Sequence, residues 1–154
     1  MHTLERGQVI PAARDEIFTF FEEPRNLGKM TPGRMGFRIL KMDDPPMRPG
    51  FRIKYRIKVF GAPIRWLTTL SEYEPGRRFV DEQTTGPYAF WRHEHLFEDA
   101  EGGTLMRDRV QYKLPFGILG NAVQKLIVAR ELERIFDYRA QRMEELFAGS
   151  AEPA

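Results

Sequence analysis

The sequence predicts an α+β fold in which a curved antiparallel sheet wraps around one long C-terminal helix. From Phe51 to Leu114, apolar residues recur at every second position between turns that contain glycine or proline. This pattern is typical of consecutive hairpins with one buried face. After residues 115–117 the apolar period becomes helical and continues to about Phe147. A helix of this length buries its apolar stripe across the concave side of such a sheet.

Length and composition favour one globular domain. The chain has 154 residues, of which 42% are hydrophobic and 30% charged, as in average soluble domains. We expect a single domain over residues 1–148 and a frayed tail over residues 149–154. No apolar run is long enough to span a membrane, and the N-terminus lacks a signal-peptide core, so we expect a cytoplasmic protein.

The absence of cysteine and the small charge exclude several functions. There is no cysteine, which excludes disulfides, thiolate catalysis and cysteine-ligated metal sites. The formal net charge is only +2, and the basic residues are spread along the chain. Nucleic-acid binding normally needs a concentrated basic face, so we do not expect a nucleic-acid partner.

The N-terminal region predicts one strand and two short helices. The opening strand, residues 1–10, ends at Pro11, and residues 15–23 carry apolar side chains at helical spacing. Pro24 suits the first turn of a second short helix, which ends near residues 31–33.

Six further strands follow, separated by turns. The predicted strands are residues 35–40, 51–59, 64–70, 79–85, 88–98 and 105–114. Residues 51–59 alternate most clearly, with apolar side chains between arginines and lysines. Together with the opening strand, these segments predict an antiparallel sheet built from hairpins.

The long helix, residues 118–147, is apolar on more than one side. Its inward stripe is predicted to contain Ile118, Ala122, Ala129, Leu132, Phe136, Met143 and Phe147. A second apolar set consists of Leu119, Val123, Leu126 and Ile127. The short helices, a lid loop or a second subunit must cover this second face. If it is exposed in the single chain, it predicts a homodimer or another protein partner.

Turn lengths predict the strand registers. A four-residue loop at 100–103 pairs Phe97 with Met106, His95 with Asp108, His93 with Val110 and Trp91 with Tyr112. A three-residue turn at 75–77 places Glu72, Leu70 and Thr68 beside Val80, Glu82 and Thr84.

These registers place an unusual number of polar groups on the concave face. An ordinary core contains few such groups, because a buried polar group without a hydrogen-bond partner destabilises the fold. An apolar pocket with a few convergent polar groups is typical of a ligand site. We therefore expect an apolar small molecule there, bound by a carrier or sensor. The predicted ligand-binding residues are Tyr55, Trp66, Thr68, Glu82, Trp91, His93, His95, Asp108, Tyr112, Phe116, Ala122 and Ala129.

The pair His95 and Asp108 has several interpretations. It is either a cross-strand ion pair that only fixes two strands, a tether for a ligand, or the product of a wrong register. As a catalytic pair, His95 would be the acid or base of a cofactor-free cyclase or dehydratase and Asp108 would orient it. Tyr112, Tyr55 or Glu82 could then stabilise an enolate.

Other candidate ligand residues also have an interpretation in which they serve only the structure. Tryptophans such as Trp66 and Trp91 are more often core residues than ligand platforms, and Glu82 points to solvent if the turn at residues 86–87 contains a bulge. His93 and His95, with Glu82 or Asp108, have the donor atoms of a zinc or iron site. A His-x-His pair is a weak signal, so we expect no metal. No serine nucleophile motif and no phosphate loop occurs, and we expect no cofactor.

The residues at 79–83, 86–88, 91–97 and 108–117 carry a resemblance to a known family. They read FVDEQ, GPY, WRHEHLF and DRVQYKLPFG. Over residues 3–148 the chain resembles a bacterial ligand-binding subgroup of the START/Bet v 1-like superfamily, also called SRPBCC or polyketide cyclase/dehydrase-like proteins.

The resemblance implies a helix-grip fold, with seven antiparallel strands around the C-terminal helix and two short helices after the first strand. It also implies a cavity for lipids, sterols, polyketides or quinones, without one shared activity or catalytic motif. Some relatives occur beside or fused to nucleotide-sugar epimerase-like domains.

Overall fold

The computed structural model describes residues 1–59, 61–115 and 122–148, without the side chains of residues 123 and 124. Its elements are β1 (His2–Ile10), α1 (Arg14–Glu22), two 3-10 turns (Pro24–Met30 and Gly33–Met35), β2 (Arg38–Met42), β3 (Arg52–Val59), β4 (Ala62–Glu74), β5 (Arg78–Thr85), β6 (Phe90–Ala100), β7 (Gly103–Lys113) and α2 (Ala122–Phe147). The predicted order of elements is confirmed, although the second short helix is a 3-10 turn. Residues 118–121 of the predicted long helix lie outside the described residues.

The seven strands form one antiparallel sheet in the order β1-β7-β6-β5-β4-β3-β2. Strands β2 to β7 follow one another as hairpins, while β1 lies at the far edge beside β7. The chain between β1 and β2 must therefore travel from one edge of the sheet to the other. It does so through α1 and the two 3-10 turns, which close one side of the space between sheet and α2.

The predicted register of β6 and β7 is confirmed. Phe97 lies opposite Met106, His95 opposite Asp108, His93 opposite Val110 and Trp91 opposite Tyr112. All these side chains are buried, which explains why the register is unique: a shift by one residue would turn the whole set to the other face of the sheet.

The predicted register of β4 and β5 is wrong beyond its first pair. Glu72 lies opposite Val80 as expected, but Leu70 then lies opposite Asp81 because Ser71 is an extra residue in a β-bulge. Glu72 faces the outside, where it pairs with Arg78 and Arg92. In a regular strand Leu70 and Glu72 would lie on the same face of the sheet, because alternate residues share a face. The bulge at Ser71 places them on opposite faces, with Leu70 inward and Glu72 outward.

The core lies between the concave face of the sheet, α1 and α2. One cluster joins Phe18 and Phe21 of α1 to Phe97 of β6 and Met143 of α2. A second cluster surrounds Phe136 and joins it to the other end of the sheet; it contains Met35, Ile57, Trp66, Trp91, Val110, Tyr112, Leu114 and Leu132. Within the described residues, no helix has the length and hydropathy of a membrane-spanning segment.

Gly103, at the start of β7, is the position where the edge pairing tolerates no side chain. Its φ is +146°, and a Cβ there would lie 2.0 Å from the carbonyl oxygen of Ile10 in β1. We expect Gly103→Ala to lower the free energy of unfolding by at least about 3 kcal/mol, because backbone must move to relieve the overlap. Urea denaturation measures this loss.

Gly102→Ala is the matched control. Gly102 also has a positive φ, +86°, but nothing lies within 4 Å of a Cβ there. The expected loss is about 1–2 kcal/mol, the cost of the left-handed backbone alone. Equal losses in the two variants would contradict the argument from the β1 contact.

Candidate functional site

A cavity of about 210 Å³ lies between the concave face of the sheet and α2. Its wall is largely apolar and takes residues from the sheet, from both 3-10 turns, from α1 and from α2. The apolar lining residues are Phe21, Pro24, Leu27, Met30, Met35, Phe37, Met47, Phe51, Ile53, Ile57, Val59, Trp66, Leu70, Phe79, Trp91, Val128, Leu132, Ile135 and Phe136. The cavity therefore occupies the place that the sequence predicted for a ligand.

An aromatic group forms one side of the cavity wall. Trp66 stacks on Tyr55, with ring centroids 5.8 Å apart, and meets Trp91 edge-on at 5.2 Å. Tyr88 lies 4.9 Å from the Trp91 ring. Burial raises the pKa of Tyr55 and of Tyr88, so both keep their hydroxyl protons. These side chains present flat, uncharged surfaces that suit an aromatic ligand.

The polar side of the cavity is a network of two histidines and two aspartates. Nε2 of His93 lies 2.7 Å from Oδ1 of Asp108, and Nε2 of His95 lies 2.6 Å from Oδ2 of Asp81. The two imidazole rings stack with centroids 3.6 Å apart. His93 and His95 share one face of β6, yet His93 is hydrogen-bonded to β7 and His95 to β5.

Arg139 of α2 completes this network from the helix side. Its Nη2 lies 3.6 Å from Oδ1 of Asp108 and 3.4 Å from Nδ1 of His95. The guanidinium also lies over the rings of Phe21 and Phe136, at 5.1 and 5.5 Å. The charge of Arg139 is therefore shared between a carboxylate, an imidazole and two aromatic faces.

The hydrogen bonds fix the protonation state of His95. A guanidinium only donates, so Nδ1 of His95 accepts from Arg139 and its Nε2–H donates to Asp81. Burial and the neighbouring His93 lower the pKa of His95 to about 4, although Asp81 acts in the opposite sense. His95 is therefore neutral near pH 7.

Both aspartates remain ionised. Burial raises the pKa of Asp108, but the charge of Arg139 and the hydrogen bond to His93 outweigh it and hold that pKa well below its ordinary value. Burial also raises the pKa of Asp81, but the hydrogen bond with His95 lowers it, and the pKa of Asp81 lies below its ordinary value. The network thus contains two carboxylates and one guanidinium.

Asp81, His93 and His95 also resemble the donor set of a metal site, since each places one ligand atom within 4.8 Å of the others. A metal binds an imidazole nitrogen in the plane of the ring. The His93 and His95 rings are only 26° from parallel, so their nitrogens do not point at one common position. Coordination would require one ring to leave the stack, next to the positive charge of Arg139. The arrangement fits a hydrogen-bonded network better than a metal centre.

Six predicted ligand residues line the cavity: Tyr55, Trp66, Thr68, Trp91, His93 and His95. The others lie elsewhere. Asp108 and Tyr112 are buried on the same face of the sheet without lining the cavity, Ala129 is half-buried and Ala122 is exposed. Phe116 lies outside the described residues.

Two predictions about individual side chains are corrected. Glu82 lies opposite Thr69 and Arg92 and not on the cavity wall, because the Ser71 bulge gives the inward position to Asp81. His95 and Asp108 are neighbours across the strands as expected, but Nδ1 of His95 and Oδ1 of Asp108 are 3.6 Å apart, too far for a hydrogen bond. The short contacts of these two groups go to Asp81 and His93 instead.

Sequence reasoning missed Asp81 and Arg139. Asp81 required knowledge of the bulge, for which the sequence has no clear signal. Arg139 did have a signal, since it lies three residues after Phe136 and four before Met143, on the predicted inward stripe. An arginine there is only 7% exposed, and such a residue needs a buried anion.

The second apolar face of α2 is exposed where it is described. Leu126 and Ile127 keep 50% and 48% of their surface exposed. Leu119 and the side chain of Val123 lie outside the description. A homodimer through this face stays a prediction.

Solved structures contain the same fold. Protein CV1439 from Chromobacterium violaceum superposes with a TM-score of 0.70 at 17% identity, covering 96% of this chain and 98% of that one. Ara h 8.0201, a Bet v 1 homologue, superposes with a TM-score of 0.61 at 15% identity, over 94% and 98%. No family model and no curated protein matches this chain. The chain therefore has the Bet v 1-like helix-grip fold that the resemblance implied.

A longer protein contains this fold as one part. The nucleoside-diphosphate sugar epimerase from Corynebacterium glutamicum matches with a TM-score of 0.67 at 23% identity, over 92% of this chain and 28% of that chain. Identities at this level show a common fold.

The lowered pKa of His95 predicts acid-sensitive folding. Its folded pKa is about 4, against about 6.5 in an unfolded chain. Between these values the unfolded state binds more protons, so the free energy of unfolding falls as the pH decreases from about 6.5 to about 4. This group accounts for a loss of up to about 3 kcal/mol. Urea denaturation at several pH values measures it.

His95→Gln removes this titration and is expected to flatten the profile in that pH window. His2→Gln, which removes a histidine outside the network, is the matched control and keeps the wild-type decline. Parallel profiles for wild type and His95→Gln would contradict a buried, neutral His95.

Proposed function

From the Bet v 1-like fold and the cavity that it encloses, we propose that this protein binds an apolar small molecule between the sheet and α2, as a carrier or sensor. The observation that carries the proposal is the cavity of about 210 Å³ with its aromatic and aliphatic wall. An engineered apolar cavity of about 150 Å³ suffices to bind benzene. The volume in this protein suits a compact ligand with one or two rings.

The physical basis of binding is the burial of apolar surface. Each square ångström removed from water contributes about 25 cal/mol before the costs of association are subtracted. The polar groups at one side of the cavity then orient the ligand. An empty cavity of this kind forfeits dispersion contacts that a ligand restores, so ligand binding is expected to stabilise the folded protein.

An uncharged fluorescent probe tests the proposal. 1-Naphthylamine, which has two fused rings, is uncharged at neutral pH and shifts its emission to shorter wavelengths in apolar surroundings, is expected to bind the wild-type protein at one site. Leu132 lies on the cavity wall and is only 4% exposed. We expect Leu132→Trp to weaken probe binding by at least about tenfold, because the larger side chain fills part of the cavity. A fluorescence titration measures the dissociation constants.

Leu126→Trp is the matched control, since it makes the same substitution on an exposed position of the same helix and is expected to leave binding unchanged. Circular dichroism and thermal unfolding verify that each variant folds, and Ile135→Trp repeats the test from another lining position. A wild-type protein that does not bind the probe, or equal binding by the folded lining variants, would refute the proposal.

Cofactor-free enzymatic chemistry is a second candidate function, and one observation favours it. The pair of His93 and Asp108 has the geometry of a general base with its orienting carboxylate, at 2.7 Å. His93 lines the cavity, and among the described residues its ring is hydrogen-bonded through Nε2 and not through Nδ1. His95, the base expected from the sequence, has both ring nitrogens engaged by Asp81 and Arg139.

Proton exchange of a compact ketone tests this second function. Nδ1 of His93 would take the α-proton of 1-indanone, the C–H electron pair would move onto the carbonyl oxygen, and a deuteron from D₂O would return to carbon. Proton NMR is expected to show exchange about 10²-fold faster with wild type than with His93→Gln. His95→Gln, the control, should retain the faster exchange. Exchange at the buffer rate with wild type would exclude the role of His93 as a base.

A further inference from the structure

The outer face of β2, β3 and β4 carries a cluster of basic side chains. Alternate residues of β3 line the cavity, so its other four side chains lie on the outer face, and all four are cations. The strand register places cations of β2 and β4 beside them. This basic face consists of Arg38, Lys41, Arg52, Lys54, Arg56, Lys58 and Arg65. Six of these residues are exposed, and Lys54 is half-buried.

Like charges lie directly opposite one another on the basic face. Arg56 of β3 lies opposite Arg38 of β2 on one side and opposite Arg65 of β4 on the other. Lys54 likewise lies opposite Lys41. Like charges in these positions destabilise a sheet, so this arrangement lowers the stability of the isolated chain. Such a row of cations indicates that an anion outside the chain binds here.

Elsewhere on the outer face the sheet pairs its charges. Arg78 of β5 contacts three glutamates, and Arg92 of β6 contacts one of the same three. Within the described part of the chain, no carboxylate forms an ion pair with a residue of the basic face. Asp43, which follows β2, accepts a hydrogen bond from the backbone N–H of Arg52 and not from its guanidinium. The net charge of the whole chain is only +2, so these seven cations are a local excess beside a net negative remainder.

The composition of the basic face favours a lipid surface over a nucleic acid. Proteins that bind single-stranded nucleic acids combine cations with aromatic side chains on which bases stack. The outward positions of β2, β3 and β4 contain no aromatic side chain. They do contain an apolar one at the edge of the sheet: Leu40, at the bulge between Ile39 and Lys41, is 41% exposed. Cations beside an exposed apolar side chain suit the boundary between lipid head groups and acyl chains.

We propose that the basic face docks onto a bilayer surface that contains anionic phospholipids. The cations extend along β3 and across three strands, and such a bilayer offers negative head groups in two dimensions. Phe37 and Met47, on either side of β2, line the cavity. Docking would therefore bring this side of the cavity wall close to the bilayer. The docking surface itself does not depend on what the cavity binds.

Co-sedimentation with lipid vesicles tests the proposal. We expect wild type to bind phosphatidylcholine vesicles in which about one lipid in three is phosphatidylglycerol, and not vesicles of phosphatidylcholine alone. About 0.5 M salt is expected to release the protein, because it screens charges on an exposed surface. The combined variant Arg38→Gln, Arg56→Gln and Arg65→Gln is expected to bind the anionic vesicles about 10²-fold more weakly, since each cation near such a surface contributes about fivefold.

The combined variant Lys29→Gln, Arg77→Gln and Arg130→Gln is the matched control. It removes the same total charge from three exposed positions outside the basic face, and it should keep vesicle binding within about threefold of wild type. Thermal unfolding verifies that both variants fold, and the variant of the basic face should be at least as stable as wild type because like charges are removed. The wild-type comparison of the two kinds of vesicle tests the proposal without any variant.

Three results would overturn the proposal. Wild type that sediments no better with anionic than with neutral vesicles has no such docking surface. Equal losses in the two folded variants would show a response to net charge and not to the basic face. Complete release of the protein from the vesicles by RNA that supplies the same total phosphate would assign this face to nucleic acid. Failure of apolar ligands to bind the cavity would refute the proposed function and leave this proposal standing.

Discussion

The contact between the Arg139 guanidinium of α2 and the Asp108 carboxylate of β7 is the constraint on which the rest of the site depends. Asp108 is only 5% exposed, and an ionised carboxylate at that depth needs a cation and hydrogen-bond donors. Arg139 provides the cation at 3.6 Å. Breaking such a buried pair by removing one partner typically costs about 3–5 kcal/mol. The pair therefore constrains both the rotation of α2 and its position along the sheet, because another placement would separate the guanidinium from this carboxylate.

The orientation of the two histidines follows from this contact. Asp108 takes the Nε2 side of His93, while Arg139 occupies the Nδ1 side of His95 and leaves its Nε2–H for Asp81. Three strands and the helix are thereby connected through two stacked imidazoles. A network in which nearly every polar atom has a partner keeps a single arrangement. The cavity beside it consequently has a fixed polar side and a fixed aromatic side.

The cavity is the volume that this connected framework does not fill. The Ser71 bulge turns Leu70 and Asp81 inward, and Trp66 and Trp91 hold each other edge-on at the opposite side. In a close-packed core, side chains would fill the space between the sheet and α2. Packing contacts are given up in the cavity.

The sequence by itself determined the order of elements, the antiparallel sheet and the pairing of β6 with β7. Period-two alternation and a four-residue loop allow only one register there, since a shift would expose Trp91, His93 and Phe97 together. The tertiary structure alone decided the Ser71 bulge, which exchanged Glu82 for Asp81, and the choice of partner for each histidine. The choice of partners depends on charges that lie far apart in the chain, above all Arg139 of α2. Local patterns report which face a residue occupies, but not which of several nearby ions it contacts.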